Sequence, residues 1–213
     1  FRAKQIYSWL HQNLVEHYDE MTNISKGLRD KLSAEYSVAL PETVEVLTSK
    51  IDGTKKFIFR MQDGHVIESV WMEYQHGHSV CISSQVGCRM GCKFCASTLD
   101  GLARNLTSGE MLGQIYQIQR TTGARVDNIV IMGSGEPLDN YDEFTRFIRM
   151  ISDENGLHIS RRNITISTCG LVPKIRQLAD ENYGITLALS LHAPNDETRK
   201  TLMPIANKYS LSE

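Results

Sequence analysis

Apolar residues change period along the chain, and each period predicts a different kind of element. Through the first forty positions the spacing is helical. Ile6, Trp9, Leu10 and Leu14 share one face, and Ile24, Leu28 and Leu32 stand four apart in a second stretch from about Asn23 to Tyr36. Lys26, Arg29 and Lys31 flank that second stripe, which reads first as a solvated face. Residues 42–80 turn β-rich. Lys56-Phe57-Ile58-Phe59-Arg60 and Val66-Ile67-Glu68-Ser69-Val70-Trp71-Met72 are the strands, and Asp52-Gly53 and Asp63-Gly64 are turn dipeptides. Glu68 stands inside an apolar run. Such a carboxylate reads first as a solvent-facing group on an edge strand, and second as a chemical one.

From His78 onward strands and helices alternate. A strand near Ser79–Ser83 precedes a cysteine-rich loop. Thr107 and Glu110 form a capping box for a helix whose face carries Met111, Ile115 and Ile118. Ile129-Val130-Ile131-Met132 is a continuous apolar run, as a buried parallel strand requires. Asn140 and Glu143 are expected to cap the next helix, with Phe144, Phe147, Ile148 and Ile151 on one side. A strand over Asn163–Cys169, a helix opened by Pro173, a strand over Ile185–His192 and a helix from near Asp196 complete the pattern. This is α/β: a parallel sheet with helical crossovers, about four βα units. A closed eight-unit barrel takes ~250 residues, so the expected barrel is partial. Residues 1–73 are expected to form an accessory domain of helices then strands, and residues 74–213 the core. In such sheets the chemistry gathers at the C-terminal strand ends.

Composition narrows the class. The chain of 213 residues is 41% hydrophobic and 23% charged, with a formal net charge of −2. No run approaches the ~18 apolar residues of a membrane span, so no membrane partner is expected. The charge balance neither favours nor excludes a nucleic-acid partner, and the basic residues flanking Leu28 read second as an RNA-facing surface. Four of the five cysteines lie between positions 81 and 95. That is no secreted disulfide framework, and it points to a reducing, cytoplasmic setting with a metal or redox role. A chain opening on Phe1 reads as a fragment.

Cys88, Cys92 and Cys95 place three thiols within eight residues, in a loop with Gly87 and Gly91. Thiolates ligate zinc or iron–sulfur clusters. Structural zinc needs a fourth ligand, for which Cys81, His76 or His78 is available. A four-iron cluster on three cysteines instead keeps one iron open. Gly133-Ser134-Gly135-Glu136-Pro137 follows a strand but is no dinucleotide fingerprint, because Leu138 takes the place of the third glycine. It reads either as a plain turn or as a backbone that a ligand approaches, with Glu136 receiving an ammonium group. Ser167 and Ser190-Leu191-His192 close the next two strands.

With Phe94 before the last cysteine, the loop C-x3-C-x-aromatic-C resembles that of the radical S-adenosylmethionine (SAM) superfamily. "CISSQVGCRMGCKFC", "MGSGEP", "ITISTCG" and "LSLHAPND" together resemble its dual-specificity adenine-C2 RNA methyltransferases, across nearly the whole chain. "FRAKQIYSWL" and "YDEMTNISKGLRDKL" are similar to that family's N-terminal accessory domain. The resemblance implies a partial (βα) radical SAM barrel with a small N-terminal helical accessory domain and a β-hairpin linker. It implies a [4Fe-4S] cluster on Cys88, Cys92 and Cys95. It implies SAM contacts by Gly135, Glu136, Ser167, Ser190, Leu191 and His192. Glu68 matches the family's proton acceptor, and Cys81 matches the thiol that displaces product RNA by forming a disulfide. The implied substrates are 23S rRNA and tRNA, methylated through a methyl-cysteine with two SAM per turnover. An electron donor such as flavodoxin and a monomeric state come with it. The implied methyl-carrying cysteine has no counterpart here, since Cys169 reads as a small core residue, so residues 1–213 alone are not expected to turn over. The alternatives are the related adenine-C8 enzyme and a zinc-stabilised binding module without chemistry.

Overall fold

The N-terminal helical stripes condense into a small core of their own. The structure, a computed structural model, describes residues 1–38 and 40–213; position 39, inside the stretch read as helical, lies outside the described residues. Helix α1 (Arg2–His11) and helix α2 (Lys26–Glu35) enclose Val15, Tyr18, Met21 and Ile24, with Ile6, Trp9, Leu10, Leu28 and Leu32 packed around them. Leu14 leaves the predicted stripe. The helix has already ended at His11, and Leu14, at φ 55°, turns into the main core instead. Contacts to a later helix tie this unit down: His11 Nδ1 lies 2.7 Å from the Tyr116 hydroxyl, and the Arg120 guanidinium reaches the Leu14 carbonyl and the Glu16 carboxylate.

Hydrogen bonding joins the hairpin region and the βα region into one sheet. Strands β1 (Glu42–Thr48), β2 (Lys55–Arg60) and β3 (Val66–Tyr74) run antiparallel, and β3 pairs antiparallel with β4 (Gly77–Cys81), Val70 opposite Cys81. Strands β5 (Gln85–Gly87) and β6 (Leu102–Asn105) form a separate ribbon. Strands β7 (Asn128–Ile131), β8 (Ile164–Thr168) and β9 (Thr186–Leu189) add to β4 in parallel, so the order is β1-β2-β3-β4-β7-β8-β9. The expected parallel array is present. The hairpins are hydrogen-bonded onto its flank, and the sheet runs through the boundary expected near residue 73. Glu68 therefore stands on an interior strand, β3, and not on an edge.

Helices α3 (Ser108–Thr122), α4 (Tyr141–Ile151), α5 (Val172–Glu181) and α6 (Asp196–Leu202) connect and follow the parallel strands. The Thr107 capping box forms as expected. Glu110 N–H donates to Thr107 Oγ1 at 3.2 Å, and Thr107 N–H donates to the Glu110 carboxylate at 2.9 Å. Met111, Ile115 and Ile118 of α3 are fully buried in the core that also holds Ile129, Ile131, Ile164 and Ile166, each worth roughly 1.5–3 kcal/mol. The expected cap on α4 does not form. Asn140 Nδ2 instead donates to the Ser84 and Leu106 carbonyls, at 2.9 and 2.7 Å, and the Glu143 carboxylate accepts from Ser108 N–H at 2.7 Å. Both side chains have long-range partners, which a local motif cannot register. On β8 the period of two sends Ile164, Ile166 and Thr168 inward and leaves Ser167 on the opposite face.

Candidate active site

The two-stranded ribbon is what shapes the cysteine loop. Pairing of β5 with β6 brings the loop's ends together, and Cys88 N–H donates to the Gly101 carbonyl at 2.9 Å. Within the loop Cys95 N–H donates to the Cys92 carbonyl, and Thr98 Oγ1 donates to the Cys95 carbonyl at 2.9 Å. Neither ribbon strand announces itself in the sequence, because three and four residues are too few to show a period.

Cys88, Cys92 and Cys95 line one cavity of about 140 Å³ with Gly135, Glu136, Ser167, Ser190 and His192. Eight of the expected site residues thus meet at the ends of β7, β8 and β9. All five cysteines are unbridged. Among the described residues, no three His, Cys, Asp or Glu side chains converge on a single ion position. Burial pushes the Cys88 thiol up to about 11, with Glu136, Cys92 and Cys95 adding to the effect, and Cys92 is raised for the same first reason. Metal binding here has to displace those protons.

Glu136 is 3% exposed. Its carboxylate accepts from Cys169 N–H at 2.7 Å and from Leu138 N–H at 3.1 Å, while Glu136 N–H donates to Gln85 Oε1 at 2.8 Å. Burial raises its carboxyl despite those bonds. The carboxylate keeps free lone pairs and has no cationic side chain beside it among the described residues, so a ligand ammonium fits there. Gly135 has φ +105°, and a Cβ on it would lie 2.5 Å from Gln85 Cβ. Its missing side chain therefore serves the chain's own packing as well as the cavity wall. Ser167 and Ser190 hydroxyls sit 3.0 Å apart across β8 and β9. His192, at φ 56°, packs its ring 4.5 Å from Phe94, joining a strand end to the cysteine loop.

Three expected residues stand apart from this cavity. Leu191 is 46% exposed and lines a larger, mostly apolar recess of about 390 Å³ with Leu187, Leu189 and Tyr209. Size alone would select that recess; the thiols and the buried carboxylate select the smaller one. Cys81 is half-buried on β4, where burial raises its thiol and the Met132 amide opposes that shift. Met132 itself lines the cavity, so Cys81 lies one residue behind its wall. Glu68 is exposed and pairs with Lys56 Nζ at 2.9 Å. The register of Val70 opposite Cys81 makes Glu68 a diagonal neighbour of Cys81 on the same sheet face. Sequence reasoning missed Cys169 as part of the wall: it is buried, as expected, and it lines the cavity packed against Cys92 and Met203. It also missed the buried Arg199, which no spacing rule marks.

The radical SAM superfamily model matches residues 82–213, and that of the ribosomal RNA large subunit methyltransferase N-terminal domain matches residues 1–38. The chain is 64% identical to a "Probable dual-specificity RNA methyltransferase RlmN" of Lachnoclostridium phytofermentans and 61% identical to the protein of the same description in Lachnospira eligens. Both matches cover all of this chain but only 60% and 61% of the relative, so the chain spans about 60% of the length of these curated relatives. The crystal structure of a radical SAM methyltransferase from Sphaerobacter thermophilus matches with a TM-score of 0.94 at 42% identity, over 100% of this chain and 63% of that one. With three thiols at the strand ends of a βα sheet, and a family match over most of its length, the chain belongs to the radical SAM superfamily.

Proposed function

We propose that this chain is part of an RNA methyltransferase that adds a methyl group to C2 of adenosine in 23S rRNA and tRNA. The observation that carries the reading is the single cavity in which three unbridged thiols face Glu136, Ser167, Ser190 and His192. In this reading Cys88, Cys92 and Cys95 hold a [4Fe-4S] cluster, which with SAM supplies a carbon radical after one-electron reduction by a donor such as flavodoxin. Glu136 receives the ammonium of SAM on its free lone pairs. Gly135 lets the backbone line the cavity, the Ser167 and Ser190 hydroxyls hold polar groups of the same ligand, and His192 bounds it at the last strand end, while the Leu191 side chain faces the larger recess.

Glu68 and Cys81 take the steps outside the cavity. Glu68 accepts the proton lost from adenine C2. Cys81 gives up its own proton and its thiolate attacks the sulfur of the methyl-carrying cysteine: the S–S bond forms, the bond from that sulfur to the RNA-linked carbon breaks, and the carbon takes a proton to become the methyl group of the product. Their shared face on β3 and β4 supports this division of labour. Residues 1–73 act as the accessory part and residues 74–213 as the core of a monomeric, cytoplasmic enzyme.

Anaerobic reconstitution with iron and sulfide tests the centre. Brown protein is expected, and colourless protein after Ala replacement of Cys88, Cys92 and Cys95; stoichiometric zinc without iron uptake overturns the reading. Incubating the full-length protein with 23S rRNA fragments and SAM should then give 2-methyladenosine by mass spectrometry. 8-Methyladenosine would assign the related C8 reaction instead. Cys81→Ala should accumulate a protein–RNA crosslink.

A further inference from the structure

Arg199, on α6, is 3% exposed, and all of its side-chain bonds go to carbonyl oxygens. Its guanidinium donates to the Cys169 carbonyl at 2.6 Å, the Leu191 carbonyl at 3.2 Å and the Ser190 carbonyl at 3.3 Å. These are the ends of β8 and β9, where the cavity opens. No carboxylate lies within ion-pair distance of it among the described residues. A buried cation without a counter-charge is costly, and neutral carbonyls offset only part of that cost.

Two features show where the missing negative charge belongs. The Cys169 peptide is clamped from both sides, its N–H by the Glu136 carboxylate and its carbonyl by Arg199. The other face of Cys169 packs against Cys92 and Met203. Three residues beyond Arg199, the Leu202 carbonyl accepts from Lys93 N–H of the cysteine loop at 2.9 Å. Helix α6 therefore holds the cysteine loop with one end and both strand ends with a single guanidinium.

We propose that Arg199 is a positioning residue for the three-thiol centre: its buried positive charge balances the thiolates once they hold metal, and its bonds keep the cysteine loop in register with the strand ends. The inference rests on the cluster reading given above. A fixed cation beside an anionic centre favours the form carrying the extra electron, so it raises the reduction potential.

The test uses the full-length protein, reconstituted anaerobically, as wild type, Arg199→Gln and Arg199→Lys. Gln keeps donors for the carbonyls and removes the charge; Lys keeps the charge. Redox titration followed by electron paramagnetic resonance reads the potential, and thermal melting of the metal-free proteins reads structure. Arg199→Gln should lower the ratio of reduced to oxidised centre about tenfold at fixed potential, a negative shift of about 59 mV for one electron. Arg199→Lys should stay close to wild type. A Gln variant with the wild-type potential and only a lower Tm would make Arg199 purely structural and overturn the proposal. If the Gln variant does not fold, Arg199→His decides, with its potential read below and above the imidazole's ordinary titration range and compared with wild type: a potential that drops further than the wild type's as the imidazole loses its charge supports the charge role, and one that tracks the wild type refutes it. Wild-type protein that takes up no iron sinks the cluster reading together with this inference, whereas uptake with a charge-indifferent potential sinks this inference only.

Discussion

Glu136 and Glu68 are both carboxylates borne by one continuous fold, and they are held in opposite ways. At the parallel end Glu136 is 3% exposed, bonded to two amides and reached through the chain's own packing. On the antiparallel flank the Glu68 side chain is 58% exposed and meets one flexible lysine. The glycines differ in the same sense. Gly135 and Gly64 both have positive φ, yet a Cβ on Gly135 would collide with Gln85, and a Cβ on Gly64 would meet nothing within 4 Å. The parallel end is a place where position is dictated by neighbours. The hairpin flank is a place where a side chain has room to move.

Substitutions at matched positions break or sharpen that contrast. The largest effect is expected for Gly135→Ala, where an unfavourable φ and a backbone-lined collision add to about 3 kcal/mol or more of lost stability. Gly64→Asn, with open space and a residue that tolerates the left-handed region, should cost less than about 1 kcal/mol. Denaturant midpoints for the two variants measure the difference directly. Next, Glu136→Leu leaves the Cys169 and Leu138 amides unpaired, for a loss of roughly 2 kcal/mol, and removes SAM binding measured by equilibrium dialysis. Glu68→Gln should leave both stability and SAM binding unchanged while stopping methyl transfer.

The third expectation concerns pH. The Cys88 thiol, ordinarily at 9.0, is pushed by burial up to about 11 in the folded chain. Between those values the folded state keeps a proton that the unfolded state releases. The stability of metal-free protein is therefore fully present below pH 9 and falls as the pH rises toward 11. Urea titrations across that window check the slope, and Cys88→Ala should reduce it, leaving the part contributed by the other buried thiols. The smallest effect belongs to the flank: Lys56→Ala removes an exposed ion pair worth less than about 1 kcal/mol, and high salt should erase even that.

Much of this was legible along the chain where the signal was local. The Thr107–Glu110 cap, the strands β7 and β8, and the start of α6 at Asp196 formed as read, but of the apolar run Ile129–Met132 only Ile129 and Ile131 are buried and Met132 is exposed. The illegible parts share one trait. Asn140 looked like a helix cap but spends its amide on Ser84 and Leu106, 56 and 34 residues away. Arg199 sits in a polar, charged stretch that reads as surface, and only its carbonyl partners draw it inward. The β5–β6 ribbon has too few residues to show a period.

The sequence by itself determined the chemistry on offer: three thiols in eight residues, a glutamate after a strand, serines and a histidine at later strand ends, and a fourth thiol upstream. Spacing along a chain decides which groups travel together on one loop, because bond geometry bounds their separation. Only the tertiary structure decided which of those groups share a space. Strand register placed Ser167 and Ser190 within 3.0 Å, left Cys81 behind the cavity wall and turned Leu191 away from it. Packing across β8, β9 and α6 buried Glu136 and Arg199 on either side of one peptide. Those outcomes depend on contacts between segments some thirty residues apart, whose energies no local pattern contains.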